Sequence, residues 1–179
     1  MNSGKISDWI QIGTGLALLV GLILVVVELG QARVLATIQV TNDAYSDQFD
    51  FYRQLMGENP SPVLVKACLH PGELTEAEIA VAMAAIDYRY DAIRRTKAIT
   101  EIAGYESGWE GLAISNLRHI LSTKLGRVEY DKFKDDPYRW EPEIAELAKG
   151  LIESGDIVPC DKMYDDWQSG LKDEGEPGQ

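Results

Sequence analysis

The side chains best suited to chemistry are few and poorly spaced. Cys68, Cys160, His70 and His119 are all the thiols and imidazoles the chain has. Tetrahedral zinc would need all four to meet, and neither cysteine sits in a CxxC pair, so no metal site is expected. Two cysteines are too few for a disulfide framework. They bond if the domain faces an oxidising compartment, and otherwise serve as small apolar residues. A di-iron bundle requires Glu-x-x-His pairs, but Ala67 and Asn116 stand three residues before the histidines. The chain has no GxxxxGK[ST], no GxSxG and no HExxH. Gly104-Tyr-Glu-Ser-Gly108 holds the residues of a nucleophile turn in the wrong order, with no strand before it. Asp87 and Asp91 lie one turn apart, with Arg94 and Arg95 a turn further on, which reads as surface ion pairing. The expectation is a protein that is not an enzyme and needs no cofactor.

What the residue types specify instead is a packing surface. Between Asp8 and Glu28 lie 19 residues without a charge, Trp9 to Val27. As a helix they extend roughly 29 Å, the hydrocarbon thickness of a bilayer. A lone segment at that depth must satisfy its own backbone, which only a helix does. The reading is one membrane-spanning helix with Trp9 at an interface and Glu28 marking its edge. A signal peptide would have a shorter apolar core and a more basic start; Val34–Ala36 is a passable cleavage motif but lies past Glu28 and Arg33. Within the span Gly13, Ala17 and Gly21 recur at i, i+4 and i+8. Small residues on one face let a second helix approach closely, and this chain has no second span to offer.

The helix is expected to continue to about Met56, since residues 28–56 contain no proline and only Gly30 as glycine. Leu35, Ile38, Asn42, Tyr45, Phe49, Tyr52 and Met56 recur at alternating threes and fours, a seam for another helix. Either the seam buries against later helices of the same chain, or it makes a parallel homo-oligomer with Asn42 setting register. Aromatic residues are bulky for a thin coiled coil, which favours the first.

The rest reads as helices. Val63–Leu69 is short and closed by His70-Pro71-Gly72. Thr75-Glu-Ala-Glu78 is a capping box for a helix to about Ala103, with Ile79, Met83, Ile86, Tyr90 and Ile93 inward and Gly104 as its stop. Ser107 is expected to cap the next, with Trp109, Leu112, Leu117, Ile120 and Leu121 inward and a stop at Gly126. Val128–Lys134 follows. Pro142 then opens a helix to Glu153 with Ile144, Leu147, Leu151 and Ile152 inside and Gly155 past its end. The fold class is all-α: an N-terminal transmembrane helix continuing into a soluble bundle of about five helices. The expected divisions are 1–30 for the tail and span, 31–157 for the helical domain, and 158–179 for an acidic tail. Asp165 to Gln179 alone should be disordered.

Net charge is −12, which repels phosphate backbones, so nucleic acid is not an expected partner. The expected partners are membrane lipid and other transmembrane helices. The basic cluster Arg94, Arg95 and Lys97 touches anionic lipid, the acidic tail, or, in the plainer reading, local acids on a solvated face. Lys5 and the amino group on one side of the span, against Arg33 on the other, weakly put the domain outside.

With the helices laid out, the chain resembles a widespread family of small, uncharacterised bacterial single-pass membrane proteins. The matching residues are Val27-Glu28-Leu29-Gly30-Gln31, Leu74-Thr75-Glu76-Ala77-Glu78, the Tyr88–Tyr90 region and Trp109. The likeness covers about residues 10–135. It implies a bacterial inner-membrane location with a cytoplasmic helical domain and no catalytic residues. Gly30 and Ala32 stand where the family often has Arg and Asn, so the charges that would hold the domain in the cytoplasm are missing. The expected function is that of a non-catalytic, membrane-anchored accessory or scaffold subunit of a larger complex. The alternatives are a homo-oligomeric pore or sensor, and a ligand-binding or enzymatic bundle using Tyr88, Tyr90 and Trp109 as a pocket.

Overall fold

The computed structural model describes the backbone of residues 3–105 and 107–173. It is all-helical: one long N-terminal helix, α1 (Ser3–Met56), followed by a bundle of shorter ones. With no proline to break it, α1 runs for 54 residues, about 81 Å at the usual rise. It is the one described helix long and apolar enough to cross a membrane. It stops where Gly57 takes a positive φ of 73° and donates its N–H to the Arg53 carbonyl at 3.1 Å, a left-handed exit that favours glycine.

Helix α2 (Ser61–Leu69) has Pro62 in its first turn. A short 3-10 turn, Pro71–Glu73, leads into α3 (Glu76–Ile102). The capping box is present: Thr75 Oγ1 accepts from the Glu78 N–H, and Glu78 Oε2 accepts from the Thr75 N–H at 2.8 Å. The same carboxylate takes Lys66 Nζ at 2.8 Å, so one side chain caps α3 and ties α2 to it.

Helix α4 (Glu110–Ser122) departs from expectation at both ends. Ser107 does not cap it; the Glu110 carboxylate accepts the Gly108 N–H at 2.7 Å, and Trp109 sits at the cap position, buried. Nor does Gly126 stop it. Thr123 turns extended and caps the next helix, α5 (Lys124–Phe133), its hydroxyl accepting the Gly126 N–H. The two helices meet at a one-residue corner. Gly126 lies inside the first turn of α5 because a Cβ there would run into the Ile120 carbonyl. Close approach, not termination, is what that glycine supplies.

Helix α6 (Pro142–Ser154) starts on Pro142 and ends at Gly155, φ 73°. Two expected inward residues, Leu112 and Ile152, are exposed, and Ala113 and Ala148 take the buried positions. Ile79 is also exposed. In each case a small residue lets a neighbouring helix come close, and the larger one sits at the rim.

The last described helix, α7 (Cys160–Asp173), occupies the stretch expected to be a disordered tail. The Cys68–Cys160 disulfide, with Cα atoms 5.7 Å apart, fastens its first residue to α2. That tether holds the start of a polar helix against the bundle and offsets part of the entropy cost of ordering it. Residues 174–179 of the expected tail lie outside the described residues.

The core belongs to α3 to α6. Ile93, Leu117, Ile120, Leu121 and Ile144 are essentially inaccessible. Trp140, in the turn before α6, packs between Tyr90 and Tyr130, with ring centroids 4.9 and 5.0 Å away.

Candidate functional site: the two halves of the first helix

The seam residues of α1 differ in what they meet. Leu35 is exposed; Ile38, Asn42, Tyr45 and Tyr52 are half-buried; Phe49 is buried. From Ile38 onward this stripe lies along α3. Phe49 rests against Tyr88 at 4.8 Å between centroids, with the Arg95 guanidinium over its ring. Asn42 is satisfied within the chain, its side-chain oxygen accepting from Arg95.

Between the two helices lies a polar cleft of about 150 Å³, bordered by Gln48, Tyr52, Asp87, Asp91, Arg94 and Arg139 among others. Asp91 is only 4% exposed. Tyr52 Oη donates to Asp91 Oδ2 at 2.8 Å and accepts from Gln48 Nε2 at 3.1 Å. Arg94 lies 3.5 Å from the other Asp91 oxygen. The expected Asp91–Arg94 pair thus forms within α3 with its carboxylate buried rather than at the surface, and the Tyr52 hydroxyl makes the same carboxylate the contact that joins α1 to α3. Burial pushes the Asp91 carboxyl up, against the pull of Tyr52 and Arg94. Burial, then the hydrogen bond to Asp91, pushes the Tyr52 phenol up to about 12. A group that is neutral by preference beside one that needs a donor is a stable arrangement only while both stay dry.

The basic cluster finds its acids inside the fold. Arg94 Nε meets Glu141 at 2.8 Å, and Lys97 meets Glu101, Glu141 and Glu143 at 3.1, 3.3 and 3.1 Å. Burial works against the Lys97 charge, but the three carboxylates outweigh it and raise its pKa. The aromatic trio does not converge on one pocket. Tyr90 borders the polar cleft, its hydroxyl accepting the Glu141 N–H at 2.7 Å. Trp109 borders a separate, open groove with Tyr105 and Leu147, and Tyr88 covers Phe49.

Every described residue from Gly13 to Gly30 is exposed. A Cβ built at Gly13 or Gly21 has no atom within 4 Å, so the face they share with Ala17 is bare. The Trp9 side chain lies outside the described residues. Comparison with family models, with curated proteins and with solved structures finds no match.

The sequence did not point to Asp91 as the residue that fixes α1 in place, nor to Glu141 and Glu143 as the acids that meet the basic cluster of α3. Asp91 had one signal: it lies on the same stripe of α3 as Tyr88 and Arg95, facing the aromatic seam. Glu141 and Glu143 had none, because a contact 44 residues from Lys97 leaves no periodic trace.

Proposed function

We propose that this protein is a non-catalytic, membrane-anchored accessory or scaffold subunit that joins a larger bacterial inner-membrane complex through its spanning helix. The observation that carries the reading is the contrast within α1. Its C-terminal half is packed and hydrogen-bonded on α3, whereas its N-terminal half is an apolar rod with a bare small-residue face. Lipid covers the broad Leu and Val sides of such a rod, and a second helix fits the narrow side. Uninterrupted helix through Val34–Ala36, with α1 packed from Ile38 on, supports an uncleaved anchor. The most polar side chains inside the fold act structurally: both thiols are joined, and Asp91 and Glu141 are held in ion pairs.

The domain lies on the oxidising side of the membrane. The Cys68–Cys160 disulfide supports this, since such bonds persist outside the reducing cytoplasm. This orientation opposes the cytoplasmic one that the family resemblance implies.

The test is the mass of the assembly released from native membranes by a mild detergent. The wild-type chain is expected in a discrete complex larger than a monomer. Replacing Gly13, Ala17 and Gly21 together with Leu is expected to release a folded monomer. A wild-type monomer, or a complex that survives the triple change, contradicts the proposal. A complex containing this chain alone keeps the packing face and replaces the hetero-complex with a homo-oligomer.

A further inference from the structure

At the membrane-distal end of the bundle, α2, α3, α4, α5 and α7 enclose a cavity of about 230 Å³. Its walls are mainly apolar, with Ile86, Leu125, Met163 and Trp167 prominent. The Cys68–Cys160 disulfide is part of the wall, so the bond that anchors α7 also closes the cavity. Two basic side chains, Arg89 and His119, border it. Neither side chain has a hydrogen bond or an ion pair within the described structure, although nine other basic residues do pair with acids or amides. Arg89 is exposed and therefore stands at the rim. Partial burial pulls its guanidinium below the ordinary value with no carboxylate to offset the loss. Burial, then the nearby Arg89 charge, pulls the His119 imidazole down as well.

An apolar chamber with unpaired donors at its rim is matched by a molecule with an apolar body and one anionic end. A guanidinium offers a planar fork that a carboxylate fills with two hydrogen bonds. We infer that the cavity binds a small amphipathic monocarboxylate, its chain among Met163, Trp167 and Leu125 and its carboxylate on Arg89, with His119 as a second donor. The small volume restricts the ligand to medium chain length. The ligand comes from solution rather than from the bilayer. Tyr52, level with this end of α3, is 24 residues past Glu28, about 36 Å along the helix.

The experiment is calorimetric titration of the full chain in phosphatidylcholine nanodiscs with sodium octanoate and with 1-octanol, subtracting empty discs. Octanoate is expected to bind saturably at one site, at least ten times more tightly than octanol. Arg89→Gln is expected to weaken octanoate at least tenfold and leave octanol unchanged. Arg89 is exposed and unpaired, so this variant keeps its fold, which circular dichroism verifies. Ala85→Leu, which intrudes on the cavity from α3, is expected to abolish binding of both; if it unfolds the protein, the Arg89 comparison alone decides. Absence of saturable octanoate binding, equal binding of octanol, or unchanged affinity in Arg89→Gln overturns the inference. Loss of octanoate binding when the discs are made of phosphatidylglycerol also overturns it, since the site then belongs to membrane lipid.

Discussion

Tyr52 and Asp91 carry the most consequence for their size. Asp91 is buried, and burial favours its neutral form. What holds it in place is a 2.8 Å bond from Tyr52 and the approach of Arg94. Removing a hydroxyl bonded to a buried carboxylate costs about 1–3 kcal/mol. Tyr52→Phe is therefore expected to lower the unfolding free energy by about that amount, measured by urea titration at neutral pH. The pH dependence has a definite sign. The folded phenol titrates near 12 rather than 10, so the unfolded chain loses this proton first. The stabilisation is complete below pH 10 and disappears as pH rises through 12. Stability of the wild type is expected to fall over that interval, and less steeply in Tyr52→Phe. Identical alkaline profiles would mean that Tyr52 does not clamp α1 to α3.

At the scale of elements, two fasteners hold helices that local propensity would leave loose. Glu78 caps α3 and receives Lys66 from α2, and these contacts lower its carboxyl to about 2 from 4.5. Their support is present above pH 4.5 and is lost as pH falls toward 2. Amide protection in the first turn of α3, corrected for the intrinsic pH dependence of exchange, is expected to fall across that window in the wild type and to be already low in Glu78→Ala. The second fastener is the disulfide. Its 92-residue separation gives an expected loss of about 2–5 kcal/mol in the double variant Cys68→Ser, Cys160→Ser. Exchange should rise first in α7, with the core of α3 to α6 still protected. If α7 stays as protected without the bond, packing and not the tether orders it.

The same elements show what the sequence could and could not reveal. The capping box at Thr75, the proline start and glycine end of α6 and the unbroken run of α1 are local signals, each spanning a turn or two, and were legible. Gly126, Leu112 and Ile152 were misjudged because each depends on how closely a neighbouring helix passes, and Ser107 because the Glu110 carboxylate takes the Gly108 N–H in its place. Periodicity names the inward face of a helix but not the residue at its centre, so Ala113 and Ala148 were missed. Helix α7 was illegible for a different reason. Its order depends on a covalent contact with α2, far away in sequence, and its own composition argues for disorder.

At the scale of the molecule, α1 is asymmetric along its length. Its outer half is fixed to the bundle by Phe49, Tyr52, Asn42 and their partners on α3. A rigid helix so fixed transmits the position of the bundle to the bare half, and any helix bound there is registered relative to the domain. The central claim is that Gly13, Ala17 and Gly21 form the contact face. The most direct measurement is a photo-crosslinking scan of residues 13–23 in native membranes, with the photoreactive residue benzoylphenylalanine placed at one position at a time. Cross-linked products are expected at 13, 17 and 21, and not at Gly15, Leu19 and Ile23 on the opposite side of the helix. No product at any position, equal yields at all of them, or a maximum at 15, 19 and 23 would contradict the account.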